Sequence, residues 1–501
     1  MRFRFPRHTI LPVFLMMSGN LYTQFSGNNL FEFLAGNIPR DVPAMLLSNY
    51  DQLNLAYRYK GFRASGRLEY NLNKFPERRY INPAQLQLQY GFGGFSFTAG
   101  NYYEMLGNGL LLRTYDIPGA VYESQSRRAR HGFYKDLLGF AGEYSGEVLR
   151  FRVLYGKPLL NQLPPTVDWK DRRMHDMIAV NPGITIGQQN LDLNYMVMAG
   201  GMLPRHYASA QASGNLPFNF SYNVEMAAEL GTGKPLLNSE GSVHAAYAGL
   251  NYSGFRFGAS LEWKDYRNFV LPSGINDPPT LVKEHAYKVL NRSTHVPLLD
   301  NESGYQLELY YRFKDGTMIT LNTSRAVNRL SSTYVFQEYF AELYSPLGGS
   351  ASLKGFADYA RAPFRGEPHR FAAGSILETP FPGRWSALAE LEYQLIRRSG
   401  FLSGNVHNAV ILTDFSFAAR FSAGITFELS TDPFLTDLPS TLEIERGIRT
   451  WLGGNLKYKV NDRHTVSLFG GQRRGGPACT SGICYEVLDY TGIELRITSK
   501  F

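Results

Sequence analysis

Residues 62–72 read FRASGRLEYNL. Phe62, Ala64, Gly66, Leu68, Tyr70 and Leu72 are apolar or small, while Arg63, Ser65, Arg67, Glu69 and Asn71 are polar. A period of two gives a strand one greasy and one wet face. The pattern recurs over 218–226, 255–263 and 305–313. It also closes the chain, where Ile493, Leu495 and Ile497 alternate with Glu494, Arg496, Thr498 and Lys500 before a terminal Phe501.

A soluble sandwich alternates as well. Two features point instead to an all-β, single antiparallel transmembrane barrel. The wet faces carry full charges at mid-strand, and the repeats run about 9–11 residues, the length of a membrane crossing. Connections also alternate in length. Tight turns fall at 60–61, 91–94, 145–147, 252–254, 314–316 and 461–463. Longer loops fall at 104–135, 158–180, 266–302, 397–407, 431–446 and 474–484. With the C-terminus in the periplasm, every tight turn lands there and every long loop outside. The expected count is about 24 strands, an even number between about 18 and 26.

Composition agrees. Tyr (32), Phe (34) and Gly (49) are abundant and charges make up 19%, which suits strands and turns. No stretch of about 18 apolar residues offers a helical span. The net charge of +8 has no Lys/Arg stripe, so nucleic acid is not an expected partner. The basic cluster 126–130 reads as a solvated loop, or as a contact for lipopolysaccharide or an anionic solute. MRFRFPRH followed by TILPVFLMM reads as a signal peptide over 1–23, leaving 24–501 as the barrel. Cleavage is expected before Gln24 or Phe25. The two cysteines, Cys479 and Cys484, lie in CTSGIC; in an exported chain they read as a local disulfide.

The last strand, with Tyr490-x-Gly492 and the terminal Phe501, resembles the C-terminal recognition strand of Gram-negative outer-membrane proteins. That resemblance implies that the barrel-assembly machinery reads Gly492 and Phe501 as an assembly signal. Residues 53–70, 100–120 and 473–501 resemble an uncharacterised outer-membrane β-barrel family of the Bacteroidota. The resemblance implies a location in the outer membrane of a Gram-negative bacterium, in contact with its lipid and lipopolysaccharide. It implies no chemistry.

None of the ten histidines falls in an H-E-x-x-H or other tight metal spacing. No nucleophile elbow or phosphate-binding loop is present. An enzyme, a cofactor and a metal are therefore not expected, and without a recognisable plug domain neither is TonB-dependent import. What remains is the inward face. Alternation places Arg58, Arg63, Arg67, Arg150, Arg152, Arg496 and Lys500 on one basic wall of the lumen. Glu308, Glu390, Glu392 and Glu428 stand on an acidic wall opposite. Two such walls would set a transverse field that favours polar solutes, or the charges would pair with neighbours and be silent. Gln85, Gln87 and Gln89 form a polar ladder. The segment 100–135 carries Leu110, Leu111 and Leu112, which water would not tolerate, so it is a lumen insert or a further strand pair. The loop 266–302 is the second candidate obstruction, with a helical turn or two within 281–290. The expected function is porin-like passage of polar solutes. The alternative is a non-conducting scaffold of a secretion or assembly complex.

Overall fold

The computed structural model describes residues 24–501 except 40, 41, 43, 124–127, 160–174, 202, 232–242, 297–300, 330, 331, 401, 402, 437–446, 481 and 482. The signal segment expected at 1–23 lies outside the described residues. A single 24-stranded antiparallel sheet holds the chain. Its first strand, Phe25–Asn37, pairs with the second, Met45–Tyr59, and also with the last, Tyr490–Lys500. The sheet is therefore a closed cylinder in which every strand has two neighbours. The strands Phe25–Asn37, Leu137–Ser145 and Arg205–Leu216 are all full members.

The tight turns gather at one end, together with Gln24, the first described residue, and Phe501: the amide of Arg58 donates to the Gln24 carbonyl there. Gly93 and Gly94 show why such turns hold. Their φ values of 52° and 87° are both left-handed, as a two-residue turn matched to strand twist requires. The long connections, including 103–136 and 268–300, leave from the other end.

Alternation sorts the residues as the sequence demands. On the strand Phe62–Asn73, Arg67, Glu69 and Asn71 are buried inside, while Phe62 and Leu68 are exposed outside. Outward rows such as Leu86, Leu88, Tyr90 and Phe92, or Leu191, Leu193 and Tyr195, continue around the cylinder. An apolar belt on this scale matches hydrocarbon, where closure leaves no ladder group unpaired. Aromatic clusters mark the tight-turn edge of the belt: Phe92, Phe95, Phe97 and Tyr144; Phe220, Tyr252 and Phe257; Trp385 and Phe417. Near the opposite edge, cross-strand pairs join Tyr195 to His206 (2.7 Å), Tyr359 to His369 (2.9 Å) and Tyr393 to His407 (2.7 Å). Histidines scattered in sequence thus recur at one level of the wall.

The closing seam depends on glycine at two places. The terminal residue extends the ladder, exchanging backbone bonds of 2.8 and 3.0 Å with Gly27. A Cβ on Gly27 would lie 2.4 Å from the Phe501 ring, so the aromatic packs over bare backbone. Gly492 pairs with Gly36 on one side and Gly471 on the other. A Cβ there would meet the Ala35 carbonyl at 2.3 Å and the Tyr490 hydroxyl at 2.7 Å. That hydroxyl donates to the carbonyls of Ala35 and Ile493. Gly492→Val should therefore strain the seam, costing about 1–3 kcal/mol. The measurement is the urea midpoint of the refolded barrel in detergent, which should fall; an unchanged midpoint would contradict the packing described.

Candidate functional site

A circular cylinder of this strand number would measure roughly 45–50 Å between opposite strand axes, from strand spacing and tilt. Side chains of the wall cannot fill that width. Two connections from the long-loop end fold into the lumen and occupy it.

The first insert, residues 103–136, is not a further barrel strand pair. It forms two small sheets of its own, Met105–Leu106 with Leu112–Arg113 and Tyr115–Glu123 with Arg130–Lys135. Leu106, Leu110, Leu111 and Leu112 are fully buried against inward-facing Leu154, Met177, Met196, Met198 and Tyr207. Burial of each leucine contributes about 1.5–3 kcal/mol, which is why the triplet leaves water. The lumen wall here is apolar too: Met177, Ala179, Met196 and Met198 break the polar-inside rule beneath the insert.

The second insert, between the strands Phe257–Arg267 and Asn301–Arg312, continues the same core with Phe269, Leu271 and Ile275. Arg113 and Asp277 pair at 3.1 Å and tie the two inserts together. Farther along, Tyr287, Val289 and Leu290 pack on Phe340, Phe356, Ala372 and Val410. One helical turn, Lys288–Asn291, forms where the sequence suggested one or two.

The two charged walls are contact surfaces for these inserts. On the basic side, Arg67 binds Asp116 of the first insert at 2.8 Å and also bonds Asn54. Arg152 binds Glu104 at 3.2 Å. Arg496 holds Glu32 at 3.1 Å and donates to the Gly119 carbonyl. Arg150 is held within the wall by Asp192 at 3.1 Å. On the acidic side, Glu308 pairs with Lys283 of the second insert at 2.5 Å. Glu392 accepts the amides of Lys288 (3.0 Å) and Val289 (2.8 Å), at the start of the helical turn. Glu390 touches Glu392 from the same strand. Glu428 takes both guanidinium arms of Arg292, at 2.5 and 3.1 Å. The inserts lie between these residues, and the charges of Arg67, Arg150, Arg152, Arg496, Glu308 and Glu428 are matched locally.

Three basic residues differ. Arg58, Arg63 and Lys500 line a cavity of about 800 Å³ at the tight-turn end, beneath the first insert. Gln85, Gln87 and Gln89 line it as well. Its side-chain carboxylates, Glu104 and Asp116, are already engaged by Arg152 and Arg67, and Phe501 lines it too. Among the described residues, no side-chain carboxylate pairs with Arg58, Arg63 or Lys500.

Within the cluster 126–130, the described residues 128–130 are buried rather than solvated as the sequence suggested. Ser126 and Arg127 lie outside the described residues, but Arg128 and Arg130 are buried. Arg130 enters the lumen because Glu32 (2.5 Å) and Glu123 (3.4 Å) supply its counter-charge. Next to it, burial pushes the His131 imidazole down to about 4. Burial likewise lowers Lys135 and raises Asp277, each opposed by the other's charge. Cys479 and Cys484 stand directly opposite in the hairpin Gly476–Thr480 and Ile483–Val487; their side chains lie outside the described residues.

No known protein family matches the chain, and no curated protein does. Solved structures do. The P pilus usher (PapC) translocation pore is 10% identical, with a TM-score of 0.46 over 95% of this chain and 99% of that one. Pseudomonas aeruginosa OpdL is 12% identical, with a TM-score of 0.41 over 74% and 98%. The siderophore receptor PirA from Pseudomonas aeruginosa is 9% identical, with a TM-score of 0.43 over 95% and 80%. Likeness this remote transfers no activity. The architecture decides the location: an even-numbered closed barrel, apolar outside, girdled by aromatics and polar within. The chain is a β-barrel of the Gram-negative outer membrane.

Neutral His131 gives the first insert a pH dependence. An unfolded imidazole titrates near 6.5, the docked one near 4. This contribution is complete above pH 6.5 and is lost as pH falls toward 4, amounting to about 3 kcal/mol. Hydrogen exchange of residues 103–136 should accelerate across that window in the wild type. His131→Phe should flatten the His131 component, and an identical profile in both proteins would refute the assignment.

Proposed function

We propose that this barrel is a channel for polar solutes, with preference for anionic ones. The observation that supports this most directly is the cavity at the tight-turn end. Three cations there share the cavity with a glutamine ladder, and among the described residues no side-chain carboxylate pairs with them. A surplus of positive charge in a confined, low-dielectric mouth concentrates anions and repels cations. The ladder adds donors and acceptors suited to hydroxylated solutes. The inserts then serve as the narrowing that makes so wide a barrel selective. The proposed role is passage, not catalysis.

A second reading, a non-conducting scaffold for an outer-membrane secretion or assembly complex, draws support from the same inserts. They bridge both walls through ion pairs and apolar cores. Planar bilayers separate the two: discrete conductance steps favour the channel, and a silent barrel that co-purifies with partners favours the scaffold. In a conducting barrel, replacing Arg58, Arg63 and Lys500 by Ala should lower the anion-to-cation permeability ratio severalfold. A ratio unmoved by the triple replacement would sink the anion preference.

We further propose export by the 1–23 signal, recognition of Gly492 and Phe501 by the barrel-assembly machinery, and lipopolysaccharide around the upper belt. Membership in the uncharacterised Bacteroidota barrel family rests on residues 53–70, 100–120 and 473–501. A disulfide between Cys479 and Cys484 is supported by their direct opposition in the hairpin. Under denaturing, non-reducing conditions the exported protein should take up no thiol reagent. After reduction both cysteines should label; labelling before reduction would rule the bond out.

A further inference from the structure

We propose that His285, Glu338 and Asp358 form a site for a divalent transition-metal ion that pins the second insert to the barrel wall. His285 belongs to the insert. Glu338 stands on the strand Thr333–Gly348 and Asp358 on the neighbouring strand Ala351–Ala362. All three are buried, at 3%, 1% and 5% exposure. One donor atom from each lies within 4.8 Å of the other two. His285 Nε2 is 3.3 Å from Glu338 Oε2. The Phe340 ring packs against the imidazole and holds it in place.

The donor atoms lack the partners that burial demands. Neither Asp358 oxygen receives a hydrogen bond, and the nearest cation, Arg370 Nε, is 3.8 Å from Oδ1. Glu338 Oε1 is engaged by Arg370 at 3.2 Å, which leaves Oε2 directed at His285. Neither ring nitrogen of His285 makes a well-formed hydrogen bond. Buried polar atoms are normally satisfied, and a bare buried carboxylate is costly.

Charge points the same way. Glu338, Asp358, Glu367 and Asp432 face Arg365, Arg370 and Arg398 in one connected group, one carboxylate in excess. A protonated His285 would answer Glu338 but leave Asp358 bare. A divalent cation answers both carboxylates and takes the imidazole as a third donor. One imidazole and two carboxylates, with no thiolate, suit Zn²⁺, Mn²⁺ or Fe²⁺ rather than a soft ion. Metal–donor distances of about 2.0–2.2 Å would draw the three donor atoms together around the ion.

Zinc is the probe. The full barrel is refolded into detergent with and without ZnCl₂, desalted, and its metal measured by mass spectrometry. Wild type should retain about one equivalent more than His285→Ala and than Asp358→Asn. Equal retention by all three proteins, or none by the wild type, would overturn the site. His285 lies outside the barrel sheet, so His285→Ala carries the comparison if Asp358→Asn fails to fold. Proteolysis within the second insert reads the pinning. Zinc should slow it at least fivefold in wild type and not in His285→Ala; equal rates would overturn the latch.

Discussion

Everything in this structure follows from the hydrogen bonds between its first and last strands. In hydrocarbon an unpaired amide or carbonyl costs several kcal/mol, so a sheet that crosses a membrane cannot keep an edge. Phe25–Asn37 and Tyr490–Lys500 remove it by pairing along their length, with Phe501 adding the last rung against Gly27. The glycines at this seam let aromatic rings lie directly on neighbouring backbone. Closure then sets a circumference of 24 strands, and with it a lumen too wide for wall side chains to fill.

The inserts answer that width. They enter because they carry apolar residues that neither water nor the polar wall accepts alone. Leu110, Leu111 and Leu112 find Met177, Met196 and Met198; Tyr287 and Leu290 find Phe340 and Phe356. Once inside, they bring charges that the wall has already paired in prospect: Asp116 for Arg67, Lys283 for Glu308, Arg292 for Glu428. Such pairs add little net stability for the desolvation they require. Their effect is positional, since a slipped insert would leave several buried charges bare at once. The proposed metal triad and the open basic cavity differ from this matched interior in opposite ways, one with excess carboxylate and one with excess cation.

Much of this was legible. Strand period, the tight turns, the even strand number and the inward set from Arg58 to Lys500 came from local alternation. The insert at 103–136 was legible through a leucine triplet that had nowhere wet to go. Less obvious was the apolar stretch around Met196 and Met198, where both faces of a strand are greasy; that loss of alternation signals a covered lumen wall. The buried state of Arg130 was misread because Glu32, its partner, is distant in sequence. The Tyr–His pairs and the cluster of His285, Glu338 and Asp358 left no local trace.

The sequence by itself determined which side of each strand meets lipid, because that choice depends only on neighbours one and two residues away. It also determined the ends at which the chain turns sharply or loops long. Only the tertiary structure decided what occupies the lumen and which charges remain unmatched. Those outcomes depend on closing the cylinder and folding two loops inward, which bring together residues such as Arg292 and Glu428 that no local pattern links.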